Sequence, residues 1–221
     1  AARQQGGPFS SVSEFAARTG LGPGVMARLS TADALASLTS HRRAALWQAL
    51  GQEKSCVARP LLDHETYDDE AAELLSPLDL QHEVFADYQS VGLSLRAHPL
   101  SFHRPQLDAW RILPASALVD HPENRQVRVA GLVILRQRPS TAKGITFVTL
   151  EDETGTINLV VKPQYWERHH AVCRTATAWL AHGKLEKRSG VIHVVVNRLE
   201  DLASRLSAST TTPAVKSRDF R

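Results

Sequence analysis

The sequence predicts an α+β protein of two modules, in which a helical N-terminal module precedes a five-stranded β-barrel. Up to about residue 50, apolar residues recur every three or four positions, which is the period of helices that bury one face. After residue 122 the period changes to two, as in strands. A single helical pattern, at residues 163–173, separates the third strand from the fourth.

The helical module, residues 1–50, contains a turn rich in glycine. Ser11 or Ser13 is expected to cap the first helix, and Ser30 or Thr31 the third. The Leu-Gly-Pro-Gly stretch at 21–24 ends the first helix, because glycine and proline break helices. The predicted helices cover residues 11–18, 25–29, 31–38 and 41–50.

The same turn gives the module the look of a helix-hairpin-helix. In that arrangement glycines allow backbone N–H groups to approach a phosphate at a helix N-terminus. Gly22 and Gly24 are therefore predicted contacts for the backbone of duplex DNA. A Gly/Pro turn between helices is also common in proteins that bind nothing there, and the sequence leaves that alternative open.

The middle of the chain divides into a linker and a connector. Residues 51–78 lack periodicity, and residues 63–83 hold eight acidic residues with no Lys or Arg, which favours a solvated linker. Residues 79–124 form a predicted helical connector, with helices at about 79–91 and 104–110.

Residues 125–202 carry the strand pattern, and residues 203–221, rich in Ser and Thr, are expected to be disordered. Gly131 stands where the first strand is expected to bulge or bend. Three strands, a helix and two strands in about 80 residues is the order of an OB-fold, a small Greek-key barrel. The predicted strands are 127–135, 145–150, 156–161, 178–185 and 191–199.

Charge is distributed unevenly along the chain. Residues 1–124 contain 10 Lys and Arg against 15 Asp and Glu, a net of −5, whereas residues 125–205 contain 13 against 7, a net of +6. Such asymmetry indicates that the barrel meets a polyanion. A solvated basic surface without a ligand is the alternative.

OB-folds bind single strands across their second and third strands, between the loops that join strands one to two and four to five. Both loops are basic here, so they are predicted to neutralise phosphates. Phe147 is predicted to stack on a base if Thr146, Val148 and Leu150 face inward; otherwise it fills the barrel, the role expected of Trp166. The predicted DNA-binding residues are Arg136, Arg138, Lys143, Phe147, Lys162, Lys184, Lys187 and Arg188.

Several classes of site are not supported by the sequence. No residue is predicted to be catalytic, and no cofactor is expected in this segment. The carboxylates at 151–153 fit a turn better than a metal site, and His169, His170 and Cys173 lack the further ligands that zinc needs. Two cysteines far apart suit a reducing cytoplasm, and no apolar run is long enough to span a membrane.

Several segments resemble the C-terminal region of bacterial error-prone DNA polymerases, relatives of the polymerase III α subunit. The resemblance covers residues 7–206 and is most specific in the connector at 87–100 and the Leu-Glu-Asp-Glu-Thr-Gly turn at 150–155. The other matching segments are 7–12, 29–34, 42–47, 130–133, 136–139, 147–149 and 198–202.

The resemblance implies a template-directed DNA polymerase that acts in damage-induced repair and translesion synthesis. The family's PHP domain and its palm, where aspartates bind Mg²⁺, are expected upstream of residue 1, so no catalytic residue is carried over. The implied partners are single-stranded template, duplex backbone, lesion-bypass accessory proteins and a sliding clamp. Residues 81–85 faintly resemble a clamp-binding peptide, but they lie in a helical pattern.

Two other functions remain open from the sequence. The barrel could instead dock lesion-bypass accessory proteins and touch DNA little, without catalysis of its own. It could also be an OB domain of the kind that binds a tRNA anticodon, although the connector at 87–100 favours the polymerase.

Overall fold

The computed structural model describes residues 2–51, 75–188 and 190–206, together with the backbone of Arg218–Phe220. The chain divides into two compact units, Ala1–Leu93 and Ser94–Arg221. Most of the predicted linker at 51–78 and most of the predicted disordered tail at 203–221 lie outside the described residues. The division falls inside the predicted connector, so that its first helix belongs to the first unit.

The first unit is helical, as predicted. Ser11 caps the second helix by accepting a hydrogen bond from the Glu14 backbone N–H at 3.1 Å. Gly20 ends that helix with φ 64°, a left-handed conformation that glycine adopts without strain. Asp79 caps the last helix. The helices are α1 (Ala2–Gly6), α2 (Val12–Thr19), α3 (Pro23–Thr31), α4 (Arg42–Gly51) and α5 (Leu80–Ser90).

The helix predicted over residues 31–38 is wrong. These residues form turns after the end of α3, and Asp33 has φ 57°. Ser30, one of its two candidate caps, is buried within α3, where its hydroxyl donates to the carbonyl oxygens of Met26 at 2.9 Å and Ala45 at 3.2 Å. The hydroxyl therefore ties α3 to α4 instead of beginning a new helix.

A buried arginine connects the helices of this unit. The Arg42 side chain is only 5% exposed, and its guanidinium donates to the Thr31 carbonyl at 3.0 Å and to the Asp87 carboxylate. Glu83 lies 3.1 Å and Asp33 3.9 Å from the same guanidinium. The ionic network connects α4 to α5, beside an apolar core centred on Val12, Met26, Leu35, Ala45 and Ala49.

The second unit contains the predicted closed five-stranded barrel. Strand β1 pairs with both β2 and β4, β3 joins β2 to β5, and β4 pairs with β5, which closes the ring. All of these pairs are antiparallel except β3 with β5. The strands are β1 (Gln126–Gln137), β2 (Thr146–Asp152), β3 (Gly155–Val161), β4 (Ala178–Arg188) and β5 (Val191–Asp201).

Gly131 lies where β1 passes from one neighbour to the other. The strand pairs with β4 up to Leu132 and with β2 from Leu132 onward. A Cβ atom at Gly131 would lie 2.7 Å from the Cβ of Leu150 and 2.9 Å from the Glu151 carbonyl oxygen. Only a residue without a side chain permits this close approach of β1 and β2.

Short helical segments surround the barrel. The helix predicted at 163–173 is present as two short helices that meet at His169. Trp179 lies at the centre of the core with no exposed surface, and Trp166, the predicted core residue, is partly buried against it. The helices are α6 (Arg104–Ala109), α7 (Pro163–Arg168), α8 (His170–Thr175) and α9 (Leu202–Arg205); β6 (Arg218–Phe220) pairs in parallel with β1.

Candidate nucleic-acid interface

The outer surface of β2 and β3 is the face that OB-folds use for single strands. Along β2, burial alternates so that Thr146, Val148 and Leu150 point into the barrel, whereas Phe147 and Thr149 are half-buried on the outside. Of the two positions that the sequence left open for Phe147, outside the barrel or in its core, the structure therefore has the first. Its partners across the strand pairs are Gln137 on β1 and Val160 on β3.

The two basic loops lie at opposite ends of this face. The β1–β2 loop meets the end at which Thr146 pairs with Val161. The β4–β5 turn lies toward the other end, because β5 begins two residues before His193, which pairs with Asn158 of β3. A strand that crosses β2 and β3 therefore passes from one basic loop toward the other.

Three exposed cations lie on segments that meet at the first end: Arg138, Lys143 and Lys162, which we call the loop cluster. Gly144, with φ 81°, brings the loop close to the start of α7: a Cβ there would lie 3.4 Å from Arg138 Nη2 and 3.3 Å from Pro163 Cγ. Lys162 immediately precedes Pro163 and is the N-cap residue of α7. The fold thus gathers cations from two separate segments, which is the arrangement that phosphate neutralisation needs.

The cations at the other end have protein partners. Lys187 donates its ammonium to the Val119 carbonyl, and its backbone N–H lies 3.4 Å from Glu123 Oε1. Arg188 is 75% exposed and lies 2.9 Å from Glu186. Lys184 lies on the outer face of β4, where it pairs with Gln126 of β1 and is set apart from β2 and β3. The β4–β5 loop therefore offers fewer cations to a bound strand than the β1–β2 loop does.

Arg136 is placed differently from its prediction as a phosphate contact. It is 8% exposed, and its Nη2 donates to the Ala176 carbonyl at 2.5 Å. Its guanidinium carbon lies 5.4 Å from the centre of the Trp179 ring. The side chain fills the barrel end and satisfies a backbone oxygen, so it is not available to a strand on the surface.

Gly22 and Gly24 lie at the start of α3, as the hairpin prediction requires. Gly22 is the N-cap residue, both glycines are exposed, and a Cβ on either would meet no atom within 4 Å. Neither has a positive φ. Local geometry therefore does not demand glycine at these positions, and the space around them is open.

Three of the residues considered and rejected as metal ligands, Asp152, Glu153 and Cys173, have other roles in the fold. Asp152 accepts hydrogen bonds from the backbone N–H groups of Thr154 at 2.7 Å, Gly155 at 3.0 Å and Ala115 at 2.7 Å, which makes it the organiser of a turn. Glu153 pairs with Arg104. Burial raises the pKa of Cys173 to about 11, so the thiol is protonated near neutral pH. Within the described ranges, no group of three or more His, Cys, Asp or Glu side chains is arranged for a metal.

A further basic group was missed by sequence reasoning. Arg128 on β1 pairs with His182 on β4, and His182 pairs with Arg198 on β5, which places the three side chains in one row across the barrel's outer surface. Alternation within each strand predicts that they face outward. Their alignment depends on a register shift between His182 and Gly183, which the sequence does not show.

Comparison with known proteins agrees with this architecture. Residues 127–202 match the sequence model of a family described as "OB-fold nucleic acid binding domain". Over the part of the chain that the structure describes, no helix is both long and apolar enough to cross a membrane.

The relatives extend the similarity to the whole chain. An error-prone DNA polymerase of Rhodopirellula baltica is 48% identical over 220 residues, which are all of this chain and 19% of that protein. Error-prone DNA polymerases of Bordetella parapertussis (43% identity, 96% of this chain) and Methylococcus capsulatus (42%, 100% of this chain) are similar over 20% of their own lengths. The chain is thus related along its length to a segment, about one fifth, of the bacterial error-prone DNA polymerases.

Proposed function

We propose that this chain is the DNA-binding C-terminal part of an error-prone DNA polymerase, and that its barrel holds single-stranded template DNA across β2 and β3. The observation that carries the proposal is the loop cluster, three exposed cations beside a face whose aromatic ring points outward. The family match at residues 127–202 supports nucleic acid as the ligand.

In this proposal the charges and the ring have separate tasks. Arg138, Lys143 and Lys162 neutralise consecutive phosphates, which fixes the position of the strand without reading its sequence. Phe147 offers its ring to one base, a contact worth about 1–3 kcal/mol in comparable proteins and tolerant of base identity. Binding of this kind is salt-sensitive and independent of sequence, which suits a polymerase that copies any template.

The remaining roles are proposed for the whole polymerase, of which this chain corresponds to about one fifth. They are template-directed synthesis, translesion repair and the binding of Mg²⁺ ions in a palm domain. Gly22 and Gly24, exposed at the start of α3, would approach the backbone of duplex DNA. Lesion-bypass accessory proteins and a sliding clamp are further proposed partners in the cytoplasm.

The test is a fluorescence anisotropy titration of a labelled 20-residue oligo-dT with the full chain between 50 and 200 mM salt. Each phosphate contact to a single strand contributes about 0.7 to the slope of log K against log salt. The triple variant Arg138→Gln/Lys143→Gln/Lys162→Gln is therefore expected to reduce the slope by about 2. Phe147→Ala is expected to weaken binding about 5- to 150-fold at constant slope, whereas Phe147→Tyr keeps the ring and most of the affinity.

The matched control removes three exposed arginines outside the proposed surface: Arg28, Arg168 and Arg174, each changed to Gln. It carries the same change in net charge as the loop-cluster triple. If the two triple variants reduced the salt slope equally, the proposal would be contradicted, because binding would then depend on net charge alone.

A second assay separates DNA binding from the docking of accessory proteins. Charge reversal at Arg138, Lys143, Lys187 and Arg188 is expected to weaken oligonucleotide binding at least as much as the loop-cluster triple. If DNA binding persists while capture of lesion-bypass proteins is lost, the barrel is a protein-interaction module instead.

A further inference from the structure

A basic surface lies on the barrel away from β2 and β3, on the outer side of β1, β4 and β5. Its centre is the cross-strand row Arg128, His182 and Arg198. Arg128 is exposed, and the Arg198 side chain is 67% exposed. The row therefore places a guanidinium group on either side of one imidazole.

Two more arginines border the row. Arg205 on α9 lies 4.8 Å from the centre of the Trp110 ring, and its guanidinium contacts Glu200 at 2.5 Å. Arg111 follows α6 with φ 56°, at the position after a helix where glycine is most frequent. We call the five residues Arg111, Arg128, His182, Arg198 and Arg205 the arginine face.

The surface is concave. A cavity of about 420 Å³ is lined by Arg111, Leu113, His121, Gln126, Val127, Arg128 and His182. Arg128 Nη1 donates to the Trp110 carbonyl at 3.2 Å, which holds the guanidinium at the cavity wall. A guanidinium has five N–H donors, so most of the Arg128 donors remain for a ligand.

One carboxylate is shared among several cations. Glu200 lies 3.1 Å from Arg198 and 2.5 Å from Arg205, and its Oε1 is 3.4 Å from His182 Nε2. Burial lowers the pKa of the His182 imidazole. The charges that act on this ring are Glu200, which raises its pKa, and three arginines that lower it: Arg128, Arg198 and Arg205.

We infer that the arginine face is a second DNA-binding surface, which takes backbone phosphates into the cavity beside Arg111 and Arg128. Planar guanidinium groups bind phosphate oxygens in pairs, which is why arginine predominates at phosphate sites. His182 lines the same cavity, so a phosphate bound there would lie close to its imidazole. The inference rests on the proposed function in one respect, namely that DNA is the ligand of this barrel.

The test measures binding of the full chain to a 20-residue oligo-dT and to a 20-base-pair duplex. Each phosphate contact contributes about 0.7 to the salt slope on a single strand and about 0.9 on a duplex. The variant Arg111→Gln/Arg128→Gln/Arg198→Gln is therefore expected to reduce the slope by about 2 on the single strand or by about 3 on the duplex. The two probes show which form of DNA occupies the surface. A slope change equal to that of the Arg28/Arg168/Arg174 control overturns the inference.

The outcome separates the two proposals. If only the loop-cluster triple reduces the salt slope, the β2–β3 face is the DNA site and the inference of a second surface is refuted. If only the arginine-face triple reduces the slope, the β2–β3 proposal is refuted instead. If both triples reduce it, DNA binds to two surfaces. If poly-glutamate displaced the labelled DNA as strongly as unlabelled DNA of equal charge does, the partner would be an acidic protein and the inference would be overturned.

An independent measurement uses the unaltered chain. Nuclear magnetic resonance titration of His182 is expected to show a higher pKa when DNA is bound, because a phosphate stabilises the imidazolium. The groups that face the ring stay the same in both titrations, so the phosphate is the only new charge. An unchanged His182 pKa at saturating DNA overturns the inference even if the triple variant fails to fold.

Discussion

Replacing Asp152 should destabilise the barrel more than any other single carboxylate change in the turn at residues 151–155. Its side chain has no exposed surface. Oδ1 accepts from Thr154 N and Thr154 Oγ1, both at 2.7 Å, and from Gly155 N at 3.0 Å. Oδ2 accepts from Ala115 N at 2.7 Å and lies 3.6 Å from the Arg104 guanidinium. One carboxylate therefore joins β2, the turn and the segment before β1.

The magnitude follows from these contacts. Removing one partner of a buried, charged hydrogen-bond network typically costs about 3–5 kcal/mol, because the remaining groups lose their solvent without compensation. Asp152→Ala is expected in that range. Asp152→Asn keeps one acceptor oxygen but turns an amide donor either toward Ala115 N and Arg104 or toward Thr154 N and Gly155 N, so about 2–3 kcal/mol is expected. Glu151→Gln, on the opposite face of β2, should change stability by less than about 0.5 kcal/mol.

Urea unfolding followed by tryptophan fluorescence measures the difference. The background variant Trp47→Phe removes the tryptophan of the first unit, so that the signal reports Trp110, Trp166 and the fully buried Trp179 of the barrel unit. Free energies of unfolding come from the midpoint and slope of each curve. If Asp152→Ala lost less than about 1 kcal/mol, the turn would not depend on this carboxylate and the reasoning would be refuted.

Three further predictions concern other positions. Gly131→Ala should destabilise the barrel by about 1–3 kcal/mol in the same urea assay, since its Cβ would meet Leu150; an unchanged midpoint would contradict this. Arg42→Met should cost the first unit about 3 kcal/mol, measured by Trp47 fluorescence, because Asp87 loses its cation; a neutral effect would show the network to be dispensable. The raised pKa of Cys173 means that its stabilising contribution is complete below pH 9 and is lost as pH rises from 9 to about 11. In a Cys56→Ser background, iodoacetamide at pH 8 should label Cys173 only in urea, and rapid labelling of the folded variant would contradict its burial.

The sequence predicted the barrel well because alternation depends on the strand itself. Val127 and Val129 alternate with polar residues, and they point inward whichever strands lie beside them. The same rule left two positions open for Phe147, and the structure places its side chain outside the barrel. The order of strands and the helix between the third and fourth were sufficient for the OB topology, which the pairing confirms.

Sequence-based prediction was wrong, or missed a feature, where a side chain interacts with a residue distant in the chain. Ser30 has the chemistry of a helix cap, but the carbonyl oxygen of Ala45, fifteen residues away, binds its hydroxyl instead. The row of Arg128, His182 and Arg198 required the register of three strands and a register shift between two of the pairs. Neither fact is present in the local pattern, because both depend on long-range pairing.

The segments that resemble error-prone polymerases mix structural and exposed residues, and this limits what a motif reveals about DNA contacts. Arg136 and Arg138 stand two residues apart in one such segment, yet Arg136 bonds to the Ala176 carbonyl inside the barrel and Arg138 is exposed. The most specific segments contribute Asp87 and Asp152, which both hold the fold together through buried ion pairs or hydrogen bonds. Similarity in these segments therefore identifies the scaffold, whereas the DNA-contacting residues have to be found by their exposure and by the charges that the fold places beside them.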